Sequence, residues 1–420
     1  MGPLAPAAPE KDNRPIAGLV GACARSCLPL RPPVTSPLTP GFPEDCPIAD
    51  PTRFMVWIRV PLVAAALAGC KQPTGAAVIG YAFPRESQQA ALVAAAELPT
   101  DTTHGSIRIV GDWDSGGTEA TIELARAHRL VALPRVVGVV GHAASRGTLV
   151  TAPIYMEAGI PLVVPTASSS RLWDVGEWIF PMAPGDSVEA VFLANVAFDR
   201  LHAQRVAIYF ANTPYGAGIR HQLRLDMSAR GKSLVDEVPF VVGADLPTLV
   251  EASLARSHPD LVILVGRQVE VARIAALIYE KDPGIHLLAA DGALDQVASL
   301  IETAGPAADS LYLTSFWVPD TTDPLQREFI RQYRLDSGRE PLSFEAMRYD
   351  AVMILAQAIQ EVGPDRAAIR DWLHSLGGQR PAYHGVTGDI TFQNGARHHL
   401  YLVRLVDGVA VAVSDSARLR

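Results

Sequence analysis

Short continuous apolar runs alternate with segments of helical period twice along this chain, and few folds accept such a pattern. The first series reads AAVIGYA at 76–82, a helical stretch from Ser87 to Leu98, SIRIVGDW at 106–113 and a helical stretch from Thr118 to Leu130. It continues with VVGVVG at 136–141, a helix from about Arg146 to Ala158 and IPLVVP at 160–165. The second series opens with a helix from Asp186 to about Leu201, then RVAIYF at 205–210, a helix after Gly216 and SLVDEVPF at 233–240. A helix from Pro247, DLVILV at 260–265, a helix from Glu270 and IHLLAA at 285–290 complete it. Strands that are apolar on both faces, separated by amphipathic helices, need a parallel sheet covered on both sides. Two doubly wound α/β lobes are therefore expected, with a first crossing near Pro181 to Asp186.

What precedes these series has a different character. Residues 1–54 hold 12 of the 33 prolines and three of the four cysteines, Cys23, Cys27 and Cys46, with no sustained apolar period. Such a stretch cannot bury enough surface to offset its ordering entropy and is expected to be a disordered extension or not part of the native protein. From Met55 the chain reads MVWIRVPLVAAALAGC: one arginine, an apolar run too short to span a bilayer, then small residues before Cys70. This order resembles a lipoprotein signal peptide, 55–70. The resemblance implies that Cys70 is the lipid attachment site and first mature residue, anchored to the membrane by more than one acyl chain. An ordinary apolar element ending in a core cysteine is the competing reading. No cysteine follows Cys70, so disulfides and thiolate chemistry are not available to the rest of the chain.

Several sites fall at the carboxyl ends of the expected strands. VVGVVG runs into His142-Ala143-Ala144-Ser145 and a helix, so unpaired N–H groups and a positive dipole end face the sheet edge, where an anion belongs. Ser145 also suits a plain capping role. Pro165-Thr166-Ala167-Ser168-Ser169-Ser170 ends at the same edge and also reads as a serine-rich helix cap. Asn212-Thr213-Pro214-Tyr215-Gly216 places an aromatic at a helix start, and Asp291-Gly292 places a carboxylate after IHLLAA, where an Asx turn is the plainer alternative.

The order of VVGVVGHAAS, Glu157-Ala158-Gly159-Ile160-Pro161 before VVPTASS, YFANTPYGAG and a late GDITFQNG resembles type I periplasmic binding proteins. Within them it is most similar to the branched-chain amino-acid (Leu/Ile/Val) receptors of ABC transporters. The resemblance covers about 76–413. It implies two Rossmann-like lobes joined by a three-segment hinge, with lobe I at 71–182 and 316–378 and lobe II at 183–315 and 379–420. The crossings are placed near Pro181 to Asp186, Leu311 to Phe316, and Gly378 to Val386, with helices from Asp323 to about Ser375 completing lobe I.

It further implies that Ser145 and neighbouring amides hold a ligand carboxylate, and that Ser168 contributes its hydroxyl and Thr166 its carbonyl. Ala167 and Ser169 are the candidates one register step away. Tyr215 closes over the ligand, Asp291 pairs with its ammonium, and Phe83 is an aromatic wall from the first unit. Here the chain departs from its relatives, because Ala82-Phe83-Pro84-Arg85-Glu86-Ser87 is shorter than the usual loop and Arg85 or Glu86 could enter the cleft.

The implied partners are a small amino-acid-like ligand, an ABC permease and the membrane, on the periplasmic or extracellular side, for a monomer without cofactor or metal. The other reading is a lipid-anchored protein of this fold serving as a protein-interaction or envelope-regulating module. His398 and His399 face opposite sides of a strand and are poor joint metal ligands. Net charge is −8 with pI near 5.8 and no dense basic cluster, against a nucleic-acid partner. No G-x-G-x-x-G, P-loop, H-E-x-x-H or G-x-S-x-G motif is found, so binding rather than catalysis is expected.

Overall fold

The computed structural model describes residues 75–99, 104–111, 120–393 and 399–413. The expectations placed on residues 1–54, on 55–70 with Cys70 and on His398 lie outside them.

Strands β1 (Ala77–Ala82), β2 (Ile107–Gly111), β3 (Val136–Gly141), β4 (Leu162–Val164) and β5 (Ile179–Pro181) form a parallel sheet in the order β2-β1-β3-β4-β5. Helices α1 (Gln89–Glu97), α2 (Ala120–Val131) and α3 (Ser145–Ala158) connect its first strands. Alternation decides which side chain serves which face in β1, while in β3 an irregularity between Val136 and Gly138 breaks the period. Ile79, Tyr81, Val137, Val140 and Val163 enter one core, while Val78, Ala82, Val136, Val139 and Val164 enter the other beneath α2 and α3. Each such fully buried side chain contributes about 1.5–3 kcal/mol. Strand β5 carries too short an apolar run, interrupted by Pro181, to be read from sequence.

The chain crosses between β5 and α4 (Asp186–Asn195), which continues into a wider turn at Val196–Arg200. A second sheet follows from β6 (Val206–Ala211), α5 (Pro214–Ala229), β7 (Asp236–Phe240), α6 (Leu246–Ser257), β8 (Leu261–Val265), α7 (Gln268–Lys281), β9 (His286–Ala289), α8 (Val297–Ala304) and β10 (Leu311–Ser315). Here again alternate residues divide: Ala207, Tyr209, Val262 and Leu264 face α6 to α8, and Val206, Ile208, Leu261 and Ile263 face α4 and α5.

Helices α9 (Pro324–Ser337), α10 (Ser343–Val362) and α11 (Arg366–Ser375) then cover the first sheet. A hairpin follows, β11 (Tyr383–Gly385) with β12 (Gly388–Ile390). Finally β13 (Tyr401–Val406) and β14 (Val409–Ala412) extend the second sheet antiparallel to β10, in the order β14-β13-β10-β9-β8-β6-β7.

One expected crossing moves. Leu311 to Ser315 is a strand of the second sheet and Phe316 is buried in the first core, so the chain leaves the second sheet between 315 and 316, inside the stretch expected from sequence. The β11–β12 hairpin also packs on the first core through Val386 and Ile390, which shifts the crossing expected at 378–386 beyond Phe392. The reason is Asp350 on α10: fully buried, it accepts hydrogen bonds from the Val386 and Thr387 N–H groups and from the Thr387 hydroxyl, tying the hairpin to lobe I. None of the helices among the described residues is long and apolar enough to cross a membrane.

Candidate functional site

In both sheets the strand order reverses direction around one strand pair, β1 and β3 in the first and β6 and β8 in the second. Loops at the carboxyl ends of such pairs diverge and leave a crevice. The two crevices face each other across a cavity of about 480 Å³. From lobe I it is lined by Ala143, Ala144, Ser145 and Arg146 after β3, and by Thr166, Ala167 and Ser168 after β4. From lobe II it receives Thr213 and Tyr215 after β6, Gly266 and Arg267 after β8, and Asp291, Gly292 and Asp295 after β9. Six of the eight candidate contact positions therefore lie together, Ser145, Thr166, Ala167, Ser168, Tyr215 and Asp291, while Ser169, one register step away, is not among the lining residues.

Phe83 does not join them. It is fully buried in the core of the first sheet, with the Arg348 guanidinium 4.9 Å above its ring. The short loop after β1 winds directly into a single 3-10 turn at Arg85–Ser87 and carries Phe83 inward, and Glu86 opens on a different cavity.

Local geometry explains how the lining residues are held. Ala144, not Ser145, precedes the first turn of α3, and no side chain caps that helix, so its leading N–H groups are left for a ligand. The Ser145 hydroxyl accepts from the Ser169 N–H at 3.2 Å, joining the two lobe I loops. Thr166 donates through Oγ1 to the Ala143 carbonyl at 3.2 Å. Beneath them His142, fully buried, lies against Glu123 through Nδ1 and 2.9 Å from the Tyr155 hydroxyl through Nε2, fixing the chain as it leaves β3. His142 and Glu123 were not singled out as a pair from sequence, since 19 residues separate them.

On the other side, the Tyr215 hydroxyl donates to Asp291 Oδ1 at 2.5 Å and accepts from the Gly292 N–H at 3.2 Å. Residue 292 must be glycine for this approach, because a Cβ there would meet the Gly266 carbonyl oxygen at 2.8 Å. Ser168 donates to Asp186 Oδ1 at 3.1 Å, and the Asp291 N–H donates to Glu189 Oε1 at 2.8 Å. Asp186 and Glu189, one turn apart on α4, were missed. Two acids three residues apart at the start of the largely apolar DSVEAVFLAN were the signal available.

Burial dominates the ionisation of these acids. It pushes Asp186 up to about 7, Glu189 well above the carboxylate range with the Asp291 charge adding to the effect, and Asp291 upward against hydrogen bonds from Tyr215 and Glu189. Asp295 goes the other way, since Arg348 and Arg267 outweigh its burial.

For Asp186 the linkage has a definite sign. Its folded-state affinity for a proton exceeds that of the unfolded chain, so its contribution to stability is present below about pH 4 and lost as pH rises through about 7. Asp186→Asn keeps an acceptor for Ser168 and is expected to raise the melting temperature at pH 8 while changing little at pH 4. Calorimetry at both pH values reads the difference, and an equal shift at both would show that Asp186 does not titrate in this window.

The cavity thus pairs an anion-seeking helix terminus on one lobe with a buried carboxyl on the other, and the sequence match accords with it. Residues 80–410 match the periplasmic binding protein family. The chain belongs to that family.

A Leu/Ile/Val-binding protein homolog of Brucella suis is 26% identical over 227 residues, covering 54% of this chain and 60% of that relative. An amino acid binding protein of Pseudomonas aeruginosa is 25% identical over 256 residues, 60% of this chain and 67% of that one. Among solved structures, the leucine-binding LivK of Thermotoga maritima superposes with a TM-score of 0.73 at 23% identity, covering 80% of this chain and 98% of LivK. LivJ of Streptococcus pneumoniae with isoleucine gives 0.72 at 22%, covering 80% and 98%. A benzoate-bound solute-binding protein of Rhodopseudomonas palustris gives 0.70 at 17%, covering 82% and 99%. These structural likenesses speak for the fold.

Proposed function

We propose that this family member is an extracytoplasmic receptor that captures a small amino-acid-like solute between its lobes and presents the closed form to an ABC permease, held at the membrane through lipidated Cys70. The observation that carries the reading is the polarity of the cleft, with Ser145 and the free amides of α3 facing Tyr215 and Asp291 across one cavity. In this role Ser145, with Ser168 near it, receives the ligand carboxylate. The Thr166 carbonyl and the Asp291 carboxyl receive the ammonium, and Ala167 and the Tyr215 ring pack on the backbone of the ligand. Ala120, Val242 and Phe344, which also line the cavity, suit an apolar side chain. Because each lobe supplies part of the site, a ligand touching both stabilises only the closed state. The names of the Brucella and Pseudomonas relatives support an amino acid as the solute.

A thermal-shift screen of the full chain against amino acids, their amides and organic acids including benzoate tests this. Stabilisation by one or more amino acids is expected, about 2.7 kcal/mol at a hundredfold excess over Kd. Stabilisation by organic acids alone would transfer the assignment to another ligand class, and a flat response to all three classes would remove the receptor reading.

A further inference from the structure

Glu189 is a fully buried acid beside the cleft whose role the binding scheme leaves open. It sits on α4, fully buried, and its Oε1 accepts from the Asp291 N–H at 2.8 Å and from the Thr314 hydroxyl. Its other oxygen, Oε2, receives no donor, and the backbone bond from Asp291 brings the two buried acids together, with the Asp291 charge acting on Glu189. Asp291 is itself only 1% exposed and takes its side-chain donor from the Tyr215 hydroxyl.

The groups around the pair are known from each neighbouring element. Tyr215 from α5 and Thr314 from β10 are neutral donors, and Asp186, one turn back on α4, adds a third buried acid. The cations of this region, Arg267 after β8 and Arg348 on α10, both pair with Asp295. Arg146 faces the cavity from lobe I. Two neighbouring carboxyls at this depth cannot both ionise in an empty cleft, because neither solvent nor a direct cation compensates them.

We propose that Glu189 holds a proton shared with Asp291 in the empty cleft and gives it up to solvent when a ligand ammonium docks on Asp291, so that amine capture is an ammonium-for-proton exchange. The reaction balances simply. The O–H bond of Glu189 breaks, its proton leaves to water, and the positive charge of the ammonium takes over the stabilisation of the second carboxylate. Glu189 is then a positioning and specificity residue: a ligand without a cationic group leaves the proton where it is. This deepens the amino-acid reading given above and rests on it.

The raised proton affinity of both groups, caused first by burial, agrees with this arrangement. With one proton released per ligand, affinity is expected to rise about tenfold for each pH unit from acid toward neutral, until the empty site loses its proton unaided.

Titration calorimetry of the full chain with L-leucine, in two buffers of different ionisation enthalpy, measures the protons released. About one per leucine is expected for the wild type. Glu189→Gln donates permanently to Asp291 and is expected to release none while still binding leucine. Leucine binding without proton release, or the same release from Glu189→Gln, would overturn the proposal.

Difference infrared spectroscopy of the ligand-free protein at pH 7 reads the proton independently of any ligand. A protonated-carboxyl band present in the wild type and lost in Glu189→Gln supports the shared proton, and its absence from the wild type removes it. If leucine fails to bind, that failure belongs to the assignment of the ligand, and the infrared band alone decides the state of the pair. Should Glu189→Gln not fold, Thr314→Val removes one donor to Glu189 and is expected to shift the loss of the wild-type band to higher pH. An unmoved band would count against Glu189 as its source.

Discussion

Replacing Arg348 with methionine is expected to lower stability by about 3–5 kcal/mol, the range for breaking a buried ion pair by removing one partner. Arg348 is 2% exposed on α10 and donates to Asp295 Oδ1 at 2.7 Å. Its flat guanidinium lies 4.9 Å from the Phe83 ring and 5.6 Å from that of Phe344. The neighbours of Arg348 on α10 belong to the first core, whereas Ala293 and Leu294, just before Asp295, belong to the second, so the pair joins the two lobes beside the ligand cavity. Methionine preserves the packing on Phe83 but leaves Asp295 with Arg267 alone, on its more exposed side.

The cost is read as a drop in melting temperature, roughly 2–4 °C per kcal/mol for a domain near this size. A double change, Arg348→Met with Asp295→Leu, removes the stranded charge and is expected to recover most of the loss, because apolar replacement of a whole buried pair is often neutral. A single variant within 1 kcal/mol of wild type would show that the pair contributes no net stabilisation across the lobes.

The second large effect concerns Asp291→Ala. Truncating one member of a buried charge pair costs about 2–5 kcal/mol of binding, which at about 1.4 kcal/mol per tenfold is a loss of between thirtyfold and several thousandfold in affinity for an amino acid. The alanine also strands the Tyr215 hydroxyl, whose acceptor at 2.5 Å is Asp291. Calorimetry with leucine and with 4-methylpentanoate, which lacks the amine, separates the causes. Leucine is expected to lose its advantage while the carboxylate changes little. Equal losses for both would mean that Asp291 shapes the cleft rather than meeting an ammonium.

Much of the site was legible because strand ends are legible. A buried strand followed by small polar residues marks a loop at the carboxyl edge of the sheet, and Ser145, Thr166, Ala167, Ser168, Tyr215 and Asp291 were all located by that logic before their side chains could be placed. Phe83 satisfied the same rule and failed, since a loop only a few residues long turned it into the core instead of the cleft. The hairpin at 383–390 misled for a related reason. Its alternation shows that one face is buried, while only the donors that Asp350 accepts decide on which lobe.

By itself the sequence determined the two α/β lobes and the edges on which a ligand would sit, because hydrophobic period reports directly which faces of each element leave water. Only the tertiary structure decided that Glu189 touches Asp291 from 102 residues away and that Arg348 closes on Asp295 from 53 residues away. Period carries no information on which buried polar groups from distant elements will meet. That meeting is set by how two sheets and their helices pack, and burial then decides how strongly each contact acts.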